Sequence, residues 1–353
     1  MRAFIQHSVA RLAHWLGKRG HDSASAGLYR MLAESETDSA QQGYLRHRSL
    51  AQAGRLAEAI AELEAVLALR PESQDLQNEY GWLLQRVNRH EEAVSAFDRA
   101  LSEDPGDVHS HLARASSLMA LERWTEAEAG CRRAIRHEPR HWGAWQNLGL
   151  VLAQLERLDE AMDAFRAALA ITPSSNSSAC LSYVLESLDR FSEAEAVLRE
   201  AVRFDPTNPL LLSKLIHVLL EQDRTSEALD LLAAADPRVA ENPAMIGASV
   251  HVLLELDRKG EALAGAQRLV TVDQSAYAET TLAWAHLKAG DPRQAEAAMR
   301  RAEAHQQSEG EKTIGRTDLD IIRIAVLSAV GKYEEALALI KHLGGEAAIL
   351  VVR

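Results

Sequence analysis

The most suggestive chemical spacing in the chain is His137-Glu138-Pro139-Arg140-His141, which spells H-E-x-x-H, the pattern of zinc metalloproteases. In that pattern two imidazoles four residues apart on one continuous helix bind a single zinc ion. Here Pro139 interrupts the pattern, and proline cannot continue a helix. We therefore expect the two histidines to point apart, and we predict no metal site.

Other reactive side chains in the chain also fit structural roles. The two cysteines, Cys131 and Cys180, do not form a disulfide framework. Cys131 falls at a position that we expect to face the core, which favours a packed thiol over a nucleophile. The sequence has no Walker lysine loop, no G-x-G-x-x-G and no G-x-S-x-G motif. We predict no catalytic activity and no cofactor.

Positive charge is concentrated at Arg132, Arg133, Arg136 and Arg140. The chain as a whole has a net charge of −12, which favours solubility and argues against a nucleic-acid scaffold. We expect these arginines to form a solvated surface on an outer helix rather than an RNA or lipid patch.

A glutamate–alanine pair recurs along the chain at a nearly constant interval. The first four pairs are 34 residues apart, and prolines at Pro71, Pro105, Pro139 and Pro173 have the same step. Such a period means that one supersecondary unit is copied and stacks on its neighbours to bury a shared core. The pairs are Glu58-Ala59, Glu92-Ala93, Glu126-Ala127, Glu160-Ala161, Glu193-Ala194, Glu227-Ala228, Glu261-Ala262, Gln294-Ala295 and Glu335-Ala336.

Residues 142–175 show the repeated unit most clearly. An apolar stripe at i, i+3, i+4 and i+7 predicts a first helix carrying Trp145, Leu148, Gly149 and Leu152. A second helix follows, and Pro173 ends it. Gly149 and Ala161 are small where the two helices must approach closely. Phe165 is expected to fill the space between this helical pair and the next.

This unit resembles the tetratricopeptide repeat, a 34-residue helix–turn–helix with the pattern W-x-x-L-G-x-x-Y, then A-x-x-x-F-x-x-A, then P. The matching stretches are WQNLGLVL, AMDAFRAA and Pro173. In residues 108–141 the usual glycine and phenylalanine become Ala115 and Cys131. The resemblance implies an all-α fold, a right-handed superhelical α-solenoid of helix–turn–helix repeats.

Weaker copies extend the resemblance over nearly the whole chain. We predict an N-terminal amphipathic helix and degenerate first repeat at 1–39, and an array of about eight repeats at 40–309. Residues 310–353 are expected to hold a connecting loop, the last repeat and an apolar C-terminal cap. The polar segment 306–318 is expected to be a loop, because the last step of the glutamate–alanine pairs is 41 residues.

The resemblance also implies a binding surface. In this family the first helix of each pair lines a concave groove, with positions 2, 5, 6, 9, 12 and 13 facing inward. The alternative is that the large rings at these positions only pack between adjacent first helices. The predicted peptide- or protein-binding residues are Tyr44, Arg48, Asn78, Trp82, Arg86, Gln146, Asn147, Tyr183, Lys214, His217, His251, Tyr277, Trp284 and Lys288.

The charges of these positions predict what a ligand would look like. Arg48 and Arg86 favour acidic groups near the N-terminal half, whereas glutamates line the later half at Glu186, Glu221 and Glu255. A ligand that spans both halves should be acidic at one end and basic at the other. Neither the carboxylate clamp of chaperone-binding members nor the asparagine ladder of sugar-transferase arrays is supplied by the repeats.

The two ends of the chain suggest further contacts. The N-terminal stretch forms a basic amphipathic helix whose apolar face carries Phe4, Ile5, Leu12, Trp15 and Leu16. We expect this helix to pack against the first repeat, with a membrane surface or a partner as the alternative target. The apolar tail EAAILVVR is expected to pack back on the last helix, or to dock on a second copy or a partner.

Together these features predict a non-catalytic cytoplasmic scaffold that binds a protein or peptide segment in the groove. No stretch approaches the roughly 20 apolar residues of a membrane span, and few cysteines are typical of a reducing compartment. Two alternatives stay open, namely a membrane-surface organiser and a regulatory subunit of a separately encoded enzyme. Self-association through either terminus is also compatible with the sequence.

Overall fold

The computed structural model describes residues 2–36, 38–309 and 316–342, and in these ranges the chain forms helices and no strand. It divides into two compact units after Pro173. The first unit contains α1 (Arg2–Lys18), α2 (Asp22–Ser35), α3 (Ser39–Gln52), α4 (Leu56–Leu69), α5 (Gln74–Arg86), α6 (His90–Glu103), α7 (Val108–Ala120), α8 (Trp124–His137), α9 (Trp142–Gln154) and α10 (Leu158–Ile171). The second unit contains α11 (Ser175–Ser187), α12 (Phe191–Phe204), α13 (Pro209–Leu220), α14 (Thr225–Ala234), α15 (Pro237–Ala240), α16 (Pro243–Glu255), α17 (Lys259–Val272), α18 (Ala276–Lys288), α19 (Pro292–Glu309), α20 (Arg316–Val330) and α21 (Tyr333–His342).

Within each unit, consecutive helices pack as pairs, and each pair packs on the next. This confirms the predicted all-α array of helix–turn–helix repeats. The degenerate first repeat is also a helical pair, formed by α1 and α2. One short extra helix, α15, follows α14, which ends at Ala234 after only 10 residues.

Each turn inside a pair places one residue in the left-handed conformation. Asn88, between α5 and α6, has φ 60°. The next residue, Arg89, donates its backbone N–H to the Leu84 carbonyl at 2.9 Å, which closes a Schellman motif. The conformation recurs at Gly20, Gly54, Glu122, Glu156, Asp189, Asp223, Asp257, Gly290 and Gly331. Nearly identical turns therefore underlie the sequence period, whichever residue occupies them.

The recurring glutamate–alanine pair lies in the first turn of the second helix in every pair from α3–α4 to α16–α17 and in α20–α21. In α10 the Arg157 guanidinium donates to both carboxylate oxygens of Glu160, at 2.7 and 2.6 Å. Ala161, the next residue, is fully buried. The same Arg–Glu pair recurs at Arg55–Glu58, Arg89–Glu92, Arg123–Glu126, Arg190–Glu193, Arg224–Glu227 and Arg258–Glu261. The glutamate thus orders the helix start, while the alanine allows close helix contact.

Glycine and phenylalanine are matched in size across a helical pair. Phe165 is 1% exposed, and a Cβ added at Gly149 would lie 2.7 Å from its ring, closer than van der Waals contact allows. This confirms that a small residue is needed at Gly149. In the pair α7–α8 both partners change together, because Ala115 and Cys131 are each fully buried. A larger residue on the first helix therefore accompanies a smaller one on the second.

The predicted loop at 306–318 is wrong at both of its ends, and its centre, residues 310–315, lies outside the described residues. Helix α19 continues to Glu309 and α20 begins at Arg316. The extra residues of the last step therefore go largely into longer helices, since α19 has 18 residues where α17 has 14. The predicted apolar tail EAAILVVR, residues 346–353, lies outside the described residues. The segment boundaries at 39/40 and 309/310 stay predictions.

Helix α1 packs against the first repeat as expected, but with a different set of residues. Ala13 is fully buried and joins Val9 and Ala10 in a cluster with Tyr29 of α2. The predicted contact residues Leu12 and Trp15 are instead 48% and 49% exposed. The small side chains let α1 lie close to α2, which leaves part of its apolar face uncovered. The side chains of Phe4 and Ile5 lie outside the described part.

Candidate functional site

The H-E-x-x-H stretch is split between two helices, as the proline predicts. Helix α8 ends at His137, and His141 is the N-cap residue of α9. The His137 ring stacks on His111 with centroids 6.1 Å apart, whereas the His141 ring meets His109 edge-on at 5.9 Å. The two histidines therefore face different neighbours. Among the residues that the structure describes, no group of three His, Cys, Asp or Glu side chains is placed to hold a metal ion.

The cysteine and the arginine run take the structural roles expected of them. Cys131 is fully buried, and burial raises the pKa of its thiol to about 12. Arg132 lies on α8, where it pairs with Glu128 at 2.6 Å and with Glu160 of α10 at 3.3 Å. The other arginines of the run are exposed. The run is therefore a solvated face that also links neighbouring second helices.

Three first-unit helices, α1, α3 and α5, border a cleft of about 280 Å³, here named the α1–α3–α5 cleft. Three of the predicted groove residues line it, and side chains from α1 join them. The side chains that determine its chemistry are His14, Lys18, Arg48, Glu79, Trp82 and Arg86. Arg48, Trp82 and Arg86, which the register of the repeats placed on the inner face, therefore lie together at one cleft.

One wall of the cleft is a hydrogen-bonded cluster around Glu79. The Glu79 carboxylate accepts hydrogen bonds from Tyr44 Oη at 2.9 Å and from Arg48 Nη1 at 2.8 Å. His47 Nε2 lies 2.7 Å from the other carboxylate oxygen. Burial by itself would raise the pKa of Glu79, but His47, Arg48 and Tyr44 outweigh it and hold the pKa below its ordinary value. Glu79 is thus ionised, and Arg48 offsets its charge.

Arg48 is also held from its other side. Its Nη2 donates to Tyr29 Oη at 3.2 Å and lies 3.1 Å from Nδ1 of His14. Burial and the charges of Arg48 and Lys18 lower the pKa of His14. A neutral His14 can therefore accept this hydrogen bond through Nδ1. Arg48 and Tyr44 are fixed parts of the wall rather than side chains free to reach a ligand.

The remaining cleft residues are open to a ligand. Trp82 is 44% exposed, and Lys18 and Arg86 are both exposed at the rim. Neither Lys18 nor Arg86 forms an ion pair with any side chain that the structure describes. The cleft therefore combines an exposed indole ring with two available cations.

The other predicted first-unit residues have different environments. Asn78 is 7% exposed, and its amide donates to Asp107 at 3.2 Å and accepts from Ser110 at 2.6 Å. Asp107 is the N-cap of α7, so Asn78 supports a helix start rather than a groove surface. Gln146 and Asn147 are half-buried on α9.

In the second unit, α11 and α13 bring four polar or aromatic groups together. Tyr183 is 53% exposed, and Lys214 Nζ lies 5.7 Å from the centre of its ring. His217 is 57% exposed and lies 3.6 Å from Glu186. Burial raises the pKa of Glu186, while the charges of Lys214 and His217 act in the opposite direction. These residues form an exposed ring beside a mixed-charge cluster.

The last four predicted residues are mostly packed. His251 is half-buried, and burial with the charge of His217 lowers its pKa to about 4. The Tyr277 ring packs directly over Gly247, where a Cβ would overlap its hydroxyl group. Trp284 is half-buried, and the exposed Lys288 places its ammonium 4.7 Å from the centre of the indole. Tyr277 therefore packs between two adjacent first helices, α16 and α18, which is the alternative to a ligand-binding role.

Sequence reasoning missed Glu79, Lys18 and His14. Glu79 occupies inward position 6 of the repeat 74–107, so the same register could have identified it. Lys18 and His14 belong to α1, where the repeat pattern is degenerate and gives no reliable register. His47 could not be identified in this way, because it lies at a packing position and is 2% exposed.

Comparisons with known proteins agree with this architecture. Tetratricopeptide repeat families match residues 50–117, 112–176 and 187–249. Tetratricopeptide repeat protein 33 of Mus musculus is 33% identical over 101 residues, which cover 29% of this chain and 38% of that protein. Anaphase-promoting complex subunit 3 of Schizosaccharomyces pombe is 27% identical over 131 residues, covering 37% of this chain and 20% of that protein. The chain thus spans well under half the length of these relatives.

A solved structure extends the likeness over more of the chain. A tetratricopeptide repeat protein from Parabacteroides merdae aligns over 82% of this chain and 99% of its own, with a TM-score of 0.57 and 14% identity. At that identity the likeness concerns the fold alone. No helix in the described ranges is long and apolar enough to cross a membrane. The repeated helical pairs, their shared turns and these matches show that the chain belongs to the tetratricopeptide repeat family.

Proposed function

We propose that this protein is a scaffold that binds a protein or peptide segment through the first helices of its repeats. The observation that carries the proposal is the exposure of large rings at one repeat position. Trp82 and Tyr183 both occupy position 9 of their repeats, and they are 44% and 53% exposed. Tryptophan, tyrosine and arginine are the residues most enriched at interface hot spots.

The energy available from one such ring is substantial. A tryptophan buries at most about 250 Å², so covering the 44% of Trp82 that is exposed removes roughly 110 Å² from water. At about 25 cal/mol per Å², this burial contributes nearly 3 kcal/mol to binding. That amount would change an affinity about a hundredfold.

A specific observation favours a second candidate, association with a membrane surface. Leu12 and Trp15 are half-exposed on α1, and the basic residues Arg11, Lys18 and Arg19 are exposed near them. An apolar strip flanked by cations is typical of helices that lie in an anionic lipid interface. Sedimentation with anionic vesicles tests it, with Leu12→Gln/Trp15→Gln as the variant and Met31→Gln on α2, which is 59% exposed, as the control.

A cytoplasmic location is part of the proposal. Both cysteines are unpaired thiols, Cys131 buried and Cys180 half-buried. Unpaired thiols are typical of compartments that keep cysteine reduced. Fractionation of native cells with detection of the chain in the soluble fraction checks this location.

Capture of partners from the native cell lysate tests the main proposal. The variants are Trp82→Ala and Tyr183→Ala, and the chain offers closely matched controls at Trp142, 42% exposed, and Tyr333, 64% exposed. Neither control lies at position 9. Circular dichroism must first show that all four variants are equally helical.

We expect a prey protein that is lost with Trp82→Ala or Tyr183→Ala and retained by both control variants. Retention of every prey protein by all four variants would contradict the proposal and move the interface away from these first helices. Equal loss with a control variant would point to a general effect of ring removal.

A further inference from the structure

We infer that the α1–α3–α5 cleft binds an acidic peptide segment, with a carboxylate between Lys18 and Arg86 and an apolar side chain against Trp82. This inference rests on the proposed function and names the chemistry of its ligand. It also assigns part of the binding site to α1, which lies outside the well-matched repeats.

The charge of the cleft supports an acidic ligand. Besides two histidines, its lining contains three basic side chains, Lys18, Arg48 and Arg86, and one carboxylate, Glu79. Arg48 and Glu79 form an ion pair at 2.8 Å and offset one another. Two cations therefore remain without a partner among the described side chains. The chain as a whole has a net charge of −12, so this local excess of positive charge is opposite in sign to the net charge of the protein.

The wall keeps Glu79 from repelling a carboxylate ligand. Its Oε1 already accepts hydrogen bonds from Tyr44 and Arg48, and His47 Nε2 lies 2.7 Å from its Oε2. The negative charge is therefore directed into the wall. By contrast, Lys18 and Arg86 lie at the open rim, where a ligand can reach them without breaking an existing ion pair.

The size of the cleft limits what can enter. Its volume of about 280 Å³ lies just below the range of small-ligand pockets, roughly 300–1,000 Å³. That volume accommodates one or two side chains of an extended segment. An acidic residue next to an apolar one matches both the rim cations and the exposed Trp82 ring.

Helix α1 is held close enough to contribute a fixed part of the site. A Cβ added at Gly17 would lie 2.8 Å from the Gln52 side chain of α3, so the two helices approach closely there. Ser25 Oγ on α2 donates to the Ala13 carbonyl of α1 at 2.7 Å. Lys18 follows directly after Gly17, and its backbone position is therefore set by this packing.

Fluorescence anisotropy with labelled peptides tests the inference on the full chain. The acidic probe is a ten-residue peptide with four glutamates and two leucines. Its controls carry glutamine or lysine in place of the glutamates. The protein variants are Lys18→Glu, Arg86→Glu and Trp82→Ala, with Arg99→Glu as the matched control, an exposed cation on α6 of the same unit.

We expect the acidic peptide to bind and both rim variants to raise its Kd about tenfold, which corresponds to about 1.4 kcal/mol. Trp82→Ala should weaken binding further, by up to about a hundredfold, because it removes the ring surface that the ligand covers. Arg99→Glu should change Kd less than twofold. Raising the salt concentration should weaken binding, because the rim cations are exposed.

Three results would overturn the inference. These are equal binding of the glutamine peptide, equal loss with Arg99→Glu, and no binding of the acidic peptide. A dimer in light scattering that Arg86→Glu abolishes would instead assign the cleft to a second copy. If the acidic peptide fails while partner capture still depends on Trp82 and not on Trp142, only the ligand chemistry is wrong. If capture is also independent of Trp82, the proposed role of this groove fails too.

Discussion

Replacing Gly149 by alanine should reveal the size matching that holds each helical pair together. The added Cβ would lie 2.7, 2.8 and 2.9 Å from three ring atoms of Phe165, which is 1% exposed. Overpacking of this kind costs about 1–3 kcal/mol, whereas exchanging glycine for alanine inside a helix gains about 1 kcal/mol. We therefore expect Gly149→Ala to lower the free energy of unfolding by up to about 2 kcal/mol.

The neighbouring repeat supplies the compensating change. Because α7 and α8 combine Ala115 with Cys131, the double variant Gly149→Ala/Phe165→Cys copies a natural solution. Phe165→Cys alone should cost about 2–4 kcal/mol through the cavity it leaves. In that background the ring is gone, so Gly149→Ala should stabilise by about 1 kcal/mol. The effect of Gly149→Ala on the free energy of unfolding thus changes sign when Phe165 is replaced by cysteine.

Urea unfolding followed by circular dichroism measures this double-mutant cycle. Gly27→Ala on α2 is the control, because a Cβ there meets no atom within 4 Å and should stabilise by about 1 kcal/mol. The account is refuted if Gly149→Ala stabilises the wild-type chain as much as Gly27→Ala does. It is also refuted if the sign of the effect is the same in both backgrounds.

Three further predictions concern titratable side chains. Glu79→Gln should lower the free energy of unfolding by about 1–3 kcal/mol, because Arg48 loses its carboxylate. Since the folded pKa of Glu79 is lowered, the difference from wild type should be full above about pH 4.5 in urea titrations and vanish as the pH falls further. His251 should titrate with an NMR midpoint near pH 4; its folded pKa lies below the ordinary 6.5, so stability should fall between pH 6.5 and 4, and His251→Gln should remove this decline. Cys131 should resist iodoacetamide at pH 8 in the native chain and react in urea, as followed by mass spectrometry, since burial raises its pKa to about 12.

Local sequence signals were enough to predict the helical pairs. The prolines follow the end of a second helix, in the connection to the next hairpin. The glutamate–alanine interval and the small residue at Gly149 follow from contacts inside one hairpin. Those contacts recur because the turns share one backbone geometry, with left-handed residues such as Asn88 and Glu156. A local pattern of this kind can be recognised without knowing how successive pairs are placed.

The environments of the groove residues could not be predicted in the same way. The repeat register indicates which positions face inward, but neighbouring first helices determine which side chains stay exposed. Arg48 on α3 is taken up by Glu79 on α5, and Asn78 is buried by the cap of α7. Helix α1 adds Lys18 to the cleft although its own repeat pattern is degenerate. Each of these outcomes depends on contacts about 30 residues or more apart in sequence.

Site-specific photo-crosslinking would test most directly whether position 9 of the first helices binds a protein partner. A photoreactive phenylalanine analogue would replace Trp82 in one variant and Trp142 in the other, since the two rings are 44% and 42% exposed. We predict a crosslinked protein adduct from position 82 in native lysate and none from position 142. Equal adducts from both positions, or adducts from position 142 alone, would contradict the account.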